Sequence, residues 1–249
     1  PGDLSCVFFS NGGAEATDSA LKLARTATGR SGIVAFKGSF HGRTIGATSV
    51  TGSSSSYRSS YAPLAGEVYF SSFPATEQCP AGFSAKERAD FCLAELRQLF
   101  DYLVEPASVA AMIVEPIQGE GGYVVPDPSF LQGLREICSA NGILLIFDEI
   151  QTGYGRTGTM FCGEHSGVIP DIMTLGKAIA GGLPMSAVVS TQAIMDKWKP
   201  GTHGTTFGGN PVSAAAGLAV LGAFEAEDVL AKSKVNGAYL RAKLDALVE

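Results

Sequence analysis

Short apolar runs alternate along this chain with longer segments of helical period. Residues 143–147, Ile-Leu-Leu-Ile-Phe, are too short for an independent helix and rich in branched side chains, so they predict a strand buried on both faces, as in a parallel sheet. Residues 5–10, 32–36, 110–114, 172–175 and 184–190 predict further strands, that at 5–10 buried. Between them lie segments of period 3.6. In residues 14–28, Ala16, Ala20, Leu23, Ala24 and Ala27 recur at helical spacing and Gly29 supplies a stop. Residues 85–105 place Phe91, Leu93, Leu96, Leu99 and Phe100 on one apolar side, and residues 128–141 form a helix closed by Gly142. Shorter helical patterns follow at 193–199, 211–226 and 228–249, the last with Val229, Leu230, Leu240, Leu244 and Leu247 apolar. Residues 53–60 are a serine-rich loop, and 61–82 read as irregular and proline-punctuated. Strands alternating with helices predict an α/β fold, a mostly parallel sheet with helices on both faces.

Composition narrows the partners. With 24 acidic and 18 basic residues among 249, the net charge is −6 and the isoelectric point about 5.1, so no basic stripe offers a nucleic-acid footprint and a small-molecule partner is favoured. No apolar run reaches membrane-spanning length. Five scattered cysteines without a CxxC pair predict reduced thiols and a cytoplasmic location. The chain opens without Met and stops inside a helical pattern, so part of a longer protein is expected.

In an open α/β sheet, ligands collect at the carboxyl ends of the strands, and the predicted strands deliver chemistry there. Asp148 ends one strand, and Lys177 follows the strand at 172–175. Flanked by small residues, Lys177 is expected to be partly desolvated, which favours the neutral amine a Schiff base needs. A lysine holding an aldehyde and a carboxylate holding a ring nitrogen are the two anchors of pyridoxal phosphate. The bland alternative is a turn-capping Asp148 and an ordinary surface Lys177. Asn11-Gly12-Gly13 before a helix aims free backbone amides at an anion, or is a plain strand-to-helix turn. Phe40, His41 and Arg43 stand after another strand, where an aromatic ring stacks on a cofactor and an arginine forks onto a carboxylate, unless they serve packing and surface charge.

Six stretches together carry a resemblance: FFSNGGAEATDSALKLAR, FKGSFHGRT, VEPIQGEGG, LLIFDEIQTGYGRTG, TLGKAIAGG and HGTTFGGNP. In this order the chain resembles the class III (omega-amino-acid) aminotransferases of pyridoxal phosphate fold type I, the group that includes 4-aminobutyrate, ornithine and acetylornithine aminotransferases. The resemblance implies Lys177 as the Schiff-base lysine and Asp148 as the partner of the pyridine nitrogen. It implies Ile150 on one ring face, Phe40 on the other with His41 beside it, and Gln151 toward the ring hydroxyl. Gly13 and Ala14 match the phosphate-cradling amides, although Gly12 and Ala14 stand where the family more often has hydroxyl side chains. Glu115 supports the aspartate region, and Thr206 reaches the phosphate of a neighbouring subunit in a homodimer. Arg43 matches the arginine that takes a substrate's distal carboxylate, and Glu120 the glutamate that pairs with an arginine expected beyond residue 249. Residues 1–226 are then a cofactor-binding large domain, and 227–249 a helix leading toward a small domain outside this chain.

The implied reaction moves the terminal amino group of an ω-amino acid, 4-aminobutyrate first, to 2-oxoglutarate. Acetylornithine and ornithine remain open as donors. A glutamate-1-semialdehyde aminomutase would share Lys177 and Asp148, but the Gln-Gly-Glu-Gly-Gly run at 118–122 argues against it. A cofactor-binding regulator without turnover is a further alternative. A metal hydrolase reading of His41, His165, His203, Asp148 and Glu149 lacks ligand spacing, and a nicotinamide dehydrogenase lacks the GxGxxG fingerprint.

Overall fold

A computed structural model describes residues 2–247. The chain runs β1 (Cys6–Ser10), α1 (Gly13–Thr28), β2 (Gly32–Phe36), α2 (Ile45–Val50), β3 (Val68–Ser71), α3 (Ala85–Tyr102) and β4 (Val109–Val114). It continues with α4 (Pro128–Asn141), β5 (Leu144–Asp148), β6 (Ile172–Leu175), β7 (Ser186–Ser190), α5 (Gln192–Met195), α6 (Pro211–Ala226) and α7 (Val229–Asp245). Seven strands form one sheet in the order β1-β7-β6-β5-β4-β2-β3. The run β6-β5-β4-β2-β3 is parallel throughout, while β7 is antiparallel to both of its neighbours.

The central strands read as continuous apolar runs because both of their faces are covered. All six residues of β4 and all five of β2 are buried. On one face α3 and α4 pack a cluster in which Phe130 meets Phe36 and Phe73 edge-on, at ring separations of 5.6 and 5.3 Å. Edge-to-face rings set the positive rim of one against the negative face of the other. On the opposite face α1 lays Ala16, Ala20, Leu23 and Ala24 against Ile33, Ala111, Ile113 and Ile146. Helix ends follow local chemistry. Ser84 and Glu87 cap α3 reciprocally, Asp127 accepts from Ser129 N at the start of α4, and Gly142 closes that helix at φ 61°.

Several expectations are corrected. The strand expected to be buried at residues 5–10 is a sheet edge, with Val7 and Phe9 exposed. Residues 61–82 are not wholly irregular, since β3 lies within them and pairs with β2; four residues between proline-rich flanks give too short a pattern to read. The helix expected at 85–105 stops at Tyr102, and the one expected at 193–199 is the single turn of α5. Helix α2 was not foreseen, because Ile-Gly-Ala-Thr-Ser-Val has no apolar stripe and rests on the Thr44 cap. The apolar side expected for α7 is covered only at its start, where Val229 and Leu230 are half-buried, while Leu240, Leu244 and Leu247 are exposed; Val248 and Glu249, also expected to be helical, lie outside the described residues.

Phe130 is fully buried at the junction of α4 and the sheet, so its loss leaves a large void. Phe130→Ala is expected to lower the unfolding free energy by about 3–5 kcal/mol, read from the denaturant midpoint at unchanged m-value.

Candidate active site

Because β2, β4, β5 and β6 run parallel, the residues after each emerge at one edge of the sheet. There Phe40, Glu115, Asp148, Ile150, Gln151 and Lys177 line one cavity of about 510 Å³ with Gly13, Ala14, His41 and Glu120. That volume lies within the range of small-molecule and cofactor sites. A cavity of about 450 Å³ lined by Lys22, Asp18 and His203 lies against α1, but it holds neither Asp148 nor Lys177.

Asp148 is the most constrained group at this edge. It is 2% exposed, and an ionised carboxylate at such depth requires donors to replace water. Three converge on it. His41 Nδ1 lies 2.6 Å from Oδ2, and Oδ1 accepts from Ile150 N at 3.1 Å and from Thr174 Oγ1 at 3.2 Å. The threonine is there because of register, since the parallel pairing of β5 with β6 sets Thr174 opposite Asp148. His41 is held in turn by its own backbone: its N–H donates to Thr51 Oγ1 and its carbonyl accepts from Thr17 Oγ1. A carboxylate facing Nδ1 places the ring hydrogen on that nitrogen. The other nitrogen, Nε2, is buried with no partner among the described residues.

Lys177 lies two residues beyond β6, where its Nζ donates to Gln151 Oε1. Its φ is +44°, a left-handed conformation that costs a non-glycine residue of order 1 kcal/mol and that clusters at functional sites. The expected desolvation is corrected: within this chain Lys177 is exposed, because Gly176 and Ala178 beside it are too small to cover the amine. Ile150 packs its side chain over Gly13 and Gly176, where a Cβ on Gly13 would stand 3.1 Å from Ile150 Cδ1. An apolar wall therefore forms on the side of the α1 N-terminus. The N–H groups of Gly13 and Ala14 begin α1 and make no hydrogen bond among the described residues, so they are free for an anion. The carboxylate of Glu15 satisfies the preceding Asn11 N–H at 2.8 Å, and that bond holds its carboxyl below the usual range.

Two buried glutamates tie the surrounding loops together. Glu115 accepts from Phe40 N at 2.8 Å and from Gly119 N at 3.1 Å, which links the loop after β2 to the glycine-rich loop after β4. Burial pushes its carboxyl up, with His41 partly offsetting this and Asp148 adding to it. Glu149 is fully buried, and the sequence offers it only within the metal reading that lacks ligand spacing. It accepts from Thr152 Oγ1 at 2.5 Å, Cys162 N at 3.0 Å and Gly163 N at 2.8 Å, so it closes the loop that carries Ile150 and Gln151. Its position beside Asp148 was the available signal; its three donors come from residues no pattern connects to it.

Two expected residues stand apart from the wall. Arg43 is exposed at the rim, its guanidinium 5.6 Å from the Phe40 ring and 4.4 Å from the Tyr57 ring. Thr206 is exposed and also does not line the cavity. Tyr57 and Tyr123 were missed, since neither belongs to a periodic segment.

Burial pushes the Glu149 carboxyl up, against the pull of its three hydrogen bonds. A raised folded-state value means that this group's contribution to stability is complete below the ordinary glutamate pKa of about 4.3 and is lost as pH rises through the raised value. Glu149→Gln sets an amide NH2 among these donors and is expected to cost about 1–3 kcal/mol. The stability advantage of the wild type over this variant should shrink as pH rises through that window, measured by urea unfolding at a series of pH values; an advantage that grows with pH would contradict the assignment.

A family profile described as "Aminotransferase class-III" matches residues 1–249. Acetylornithine aminotransferase of Methanosarcina mazei is 46% identical over 244 residues, 98% of this chain and 56% of that protein. The 4-aminobutyrate aminotransferase of Escherichia coli is 40% identical over 250 residues, covering 100% of this chain and 57% of the relative. Among solved structures, an amine transaminase from an uncultivated Pseudomonas species in its PLP-bound form superimposes with a TM-score of 0.92 at 35% identity, over 99% of this chain and 58% of that one. The chain spans just over half the length of the curated relatives it matches. It belongs to the class III aminotransferase family.

Proposed function

We propose that this chain is the cofactor-binding part of a pyridoxal phosphate-dependent aminotransferase that moves the terminal amino group of an ω-amino acid to 2-oxoglutarate, with 4-aminobutyrate the first donor to try. The observation that carries the reading is the convergence of Lys177 and Asp148 on one cavity from the neighbouring parallel strands β5 and β6.

Pyridoxal phosphate, when bound, supplies an aldehyde that takes an amine and a ring that accepts electrons. The residues present suit it. Gly13 and Ala14 offer two free N–H groups at a helix N-terminus to the phosphate, where the helix dipole favours an anion. Ile150 and Phe40 supply apolar walls that confine a ring and exclude water from its faces. Gln151, which accepts from Lys177 Nζ, would take the ring hydroxyl. Asp148 would hold a proton at the ring nitrogen, its carboxylate fixed in place by three donors. Lys177 Nζ would hold the aldehyde carbon, and its free amine would serve as the base that moves a proton on and off the substrate carbon.

Arg43 at the rim provides a cation for a carboxylate at the far end of the donor, and Glu120 on the wall accompanies it. A homodimer with shared sites belongs to the same proposal, supported by an exposed Thr206 that serves no group of its own cavity. So does a cytoplasmic setting, supported by five unpaired cysteines. Acetylornithine or ornithine as the donor is a second reading, supported by the 46% identity to the Methanosarcina mazei enzyme.

The test is a panel of amines assayed with 2-oxoglutarate and pyruvate on the full-length protein. Turnover of 4-aminobutyrate, acetylornithine or ornithine is expected, with Lys177→Ala lowering it by about 10³-fold or more. Turnover of none of these donors by the wild type would overturn the reading.

A further inference from the structure

Away from the cofactor cavity, two of the five cysteines touch. Cys79 Sγ lies 3.7 Å from Cys92 Sγ, although the residues stand thirteen positions apart in the chain. The two differ in depth. Cys79 is half-buried in the loop between β3 and α3, whereas Cys92 is fully buried on α3, within the cluster that α3 and α4 pack against the sheet. The loop is clasped so that the sulfurs stay adjacent. Gln78, beside Cys79, accepts from Phe73 N at 3.0 Å and donates from Nε2 to Lys37 O at 3.2 Å. Arg88, one turn ahead of Cys92 on α3, donates to Pro74 O at 3.3 Å and to Phe83 O at 2.7 Å, on either side of Cys79 in the chain. Among the described residues no other cysteine has such a neighbour: Cys6 is half-buried and donates to Gln192 Oε1 at 2.7 Å, while Cys138 and Cys162 are buried.

We infer that Cys79 and Cys92 are a redox-modification site that closes to a reversible disulfide on exposure to a peroxide, Cys79 being oxidised first and Cys92 resolving it. A disulfide needs its sulfurs about 2.05 Å apart. From 3.7 Å, already van der Waals contact, rotation of the Cys79 side chain on its extended backbone can close the gap. Order follows from access. Oxidant reaches Cys79 from solvent, while burial pushes the Cys92 thiol up and keeps it protonated until a partner is presented. Cys79 gives up its proton and its sulfur attacks one peroxide oxygen; the O–O bond breaks and hydroxide leaves, so Cys79 becomes a sulfenic acid. Cys92 sulfur then attacks that sulfur; the S–O bond breaks, and the leaving hydroxide takes the Cys92 proton as water. Two thiols have lost two electrons, and hydrogen peroxide has become two waters. The clasped loop makes the second step intramolecular, which favours it over further oxidation of Cys79 to the irreversible acids. In a thiol-reducing compartment such a bond is transient. No step uses the cofactor, so the inference stands apart from the aminotransferase reading.

The experiment treats the full-length protein, loaded with cofactor, with hydrogen peroxide at neutral pH, alkylates free thiols in denaturant and maps peptides by mass spectrometry. The thiols of Cys79 and Cys92 are expected to disappear together into one linked peptide pair, with Cys138 and Cys162 still alkylated, and dithiothreitol should restore both. Cys79→Ser, at the half-exposed position, should leave Cys92 fully alkylated. Cys92→Ala should abolish the link and leave a Cys79 sulfenic acid that dimedone traps. Oxidised Cys79 beside a Cys92 that is still alkylated in the wild type overturns the inference. So does a Cys79 that stays reduced while Cys6 is oxidised, or a Cys92 that is oxidised in Cys79→Ser.

Discussion

The structure at this sheet edge is organised around a negative charge kept out of water. An isolated carboxylate at the depth of Asp148 would cost several kcal/mol, a cost that donors offset by replacing its hydration. Each of its donors depends on a different part of the fold. His41 arrives from the loop after β2, Thr174 from the facing position on β6, and Ile150 N–H from the turn after β5. A slip of β6 against β5 by one residue would turn the threonine to the other face. The sheet therefore does more than support the site, since its register supplies one of the partners that make the buried charge tolerable.

A second layer keeps those donors where they are. Glu115 and Glu149 each span two loops by accepting backbone N–H groups, and both carry the cost of burial in a raised pKa. Gly42 shows how closely the loops approach. At φ 132° it occupies a conformation that L side chains rarely adopt, and a Cβ there would stand 2.5 Å from the Cβ of Ala14. The loop bearing His41 thus packs directly on the first turn of α1, whose free amides face the same cavity as Asp148. Opposite in character is Lys177, exposed and in a left-handed backbone conformation, an amine presented to the cavity by a strained turn.

Much of this could be read in the sequence, for identifiable reasons. Strands β4 and β5 announce themselves as continuous apolar runs, and helices α1 and α4 by apolar residues at helical spacing with Gly29 and Gly142 at their ends. Asp148 and Lys177 were visible as charged residues closing apolar runs, and the structure brings them to one cavity. What stayed hidden was created by tertiary contact. Strand β3 is four residues long and gains its identity from pairing with β2, and β7 reverses direction without any local mark. Glu149 gains its structural role only where Cys162 and Gly163 close on it. Tyr57 sits in a serine-rich loop whose composition says only that it is a loop. Sequence spacing put Arg43 at the site but could not show that it stands on the rim and not in the wall.

The central claim is that a prearranged Asp148 keeps the cofactor's ring nitrogen protonated. It is tested most directly by the ¹⁵N resonance of isotopically labelled pyridoxal phosphate bound to the full-length protein. The account requires a protonated ring nitrogen in the wild type, and a shift to the unprotonated position in Asp148→Asn, where the anion is gone but the shape remains. An unprotonated nitrogen in the wild type, or the same resonance in both proteins, would contradict it.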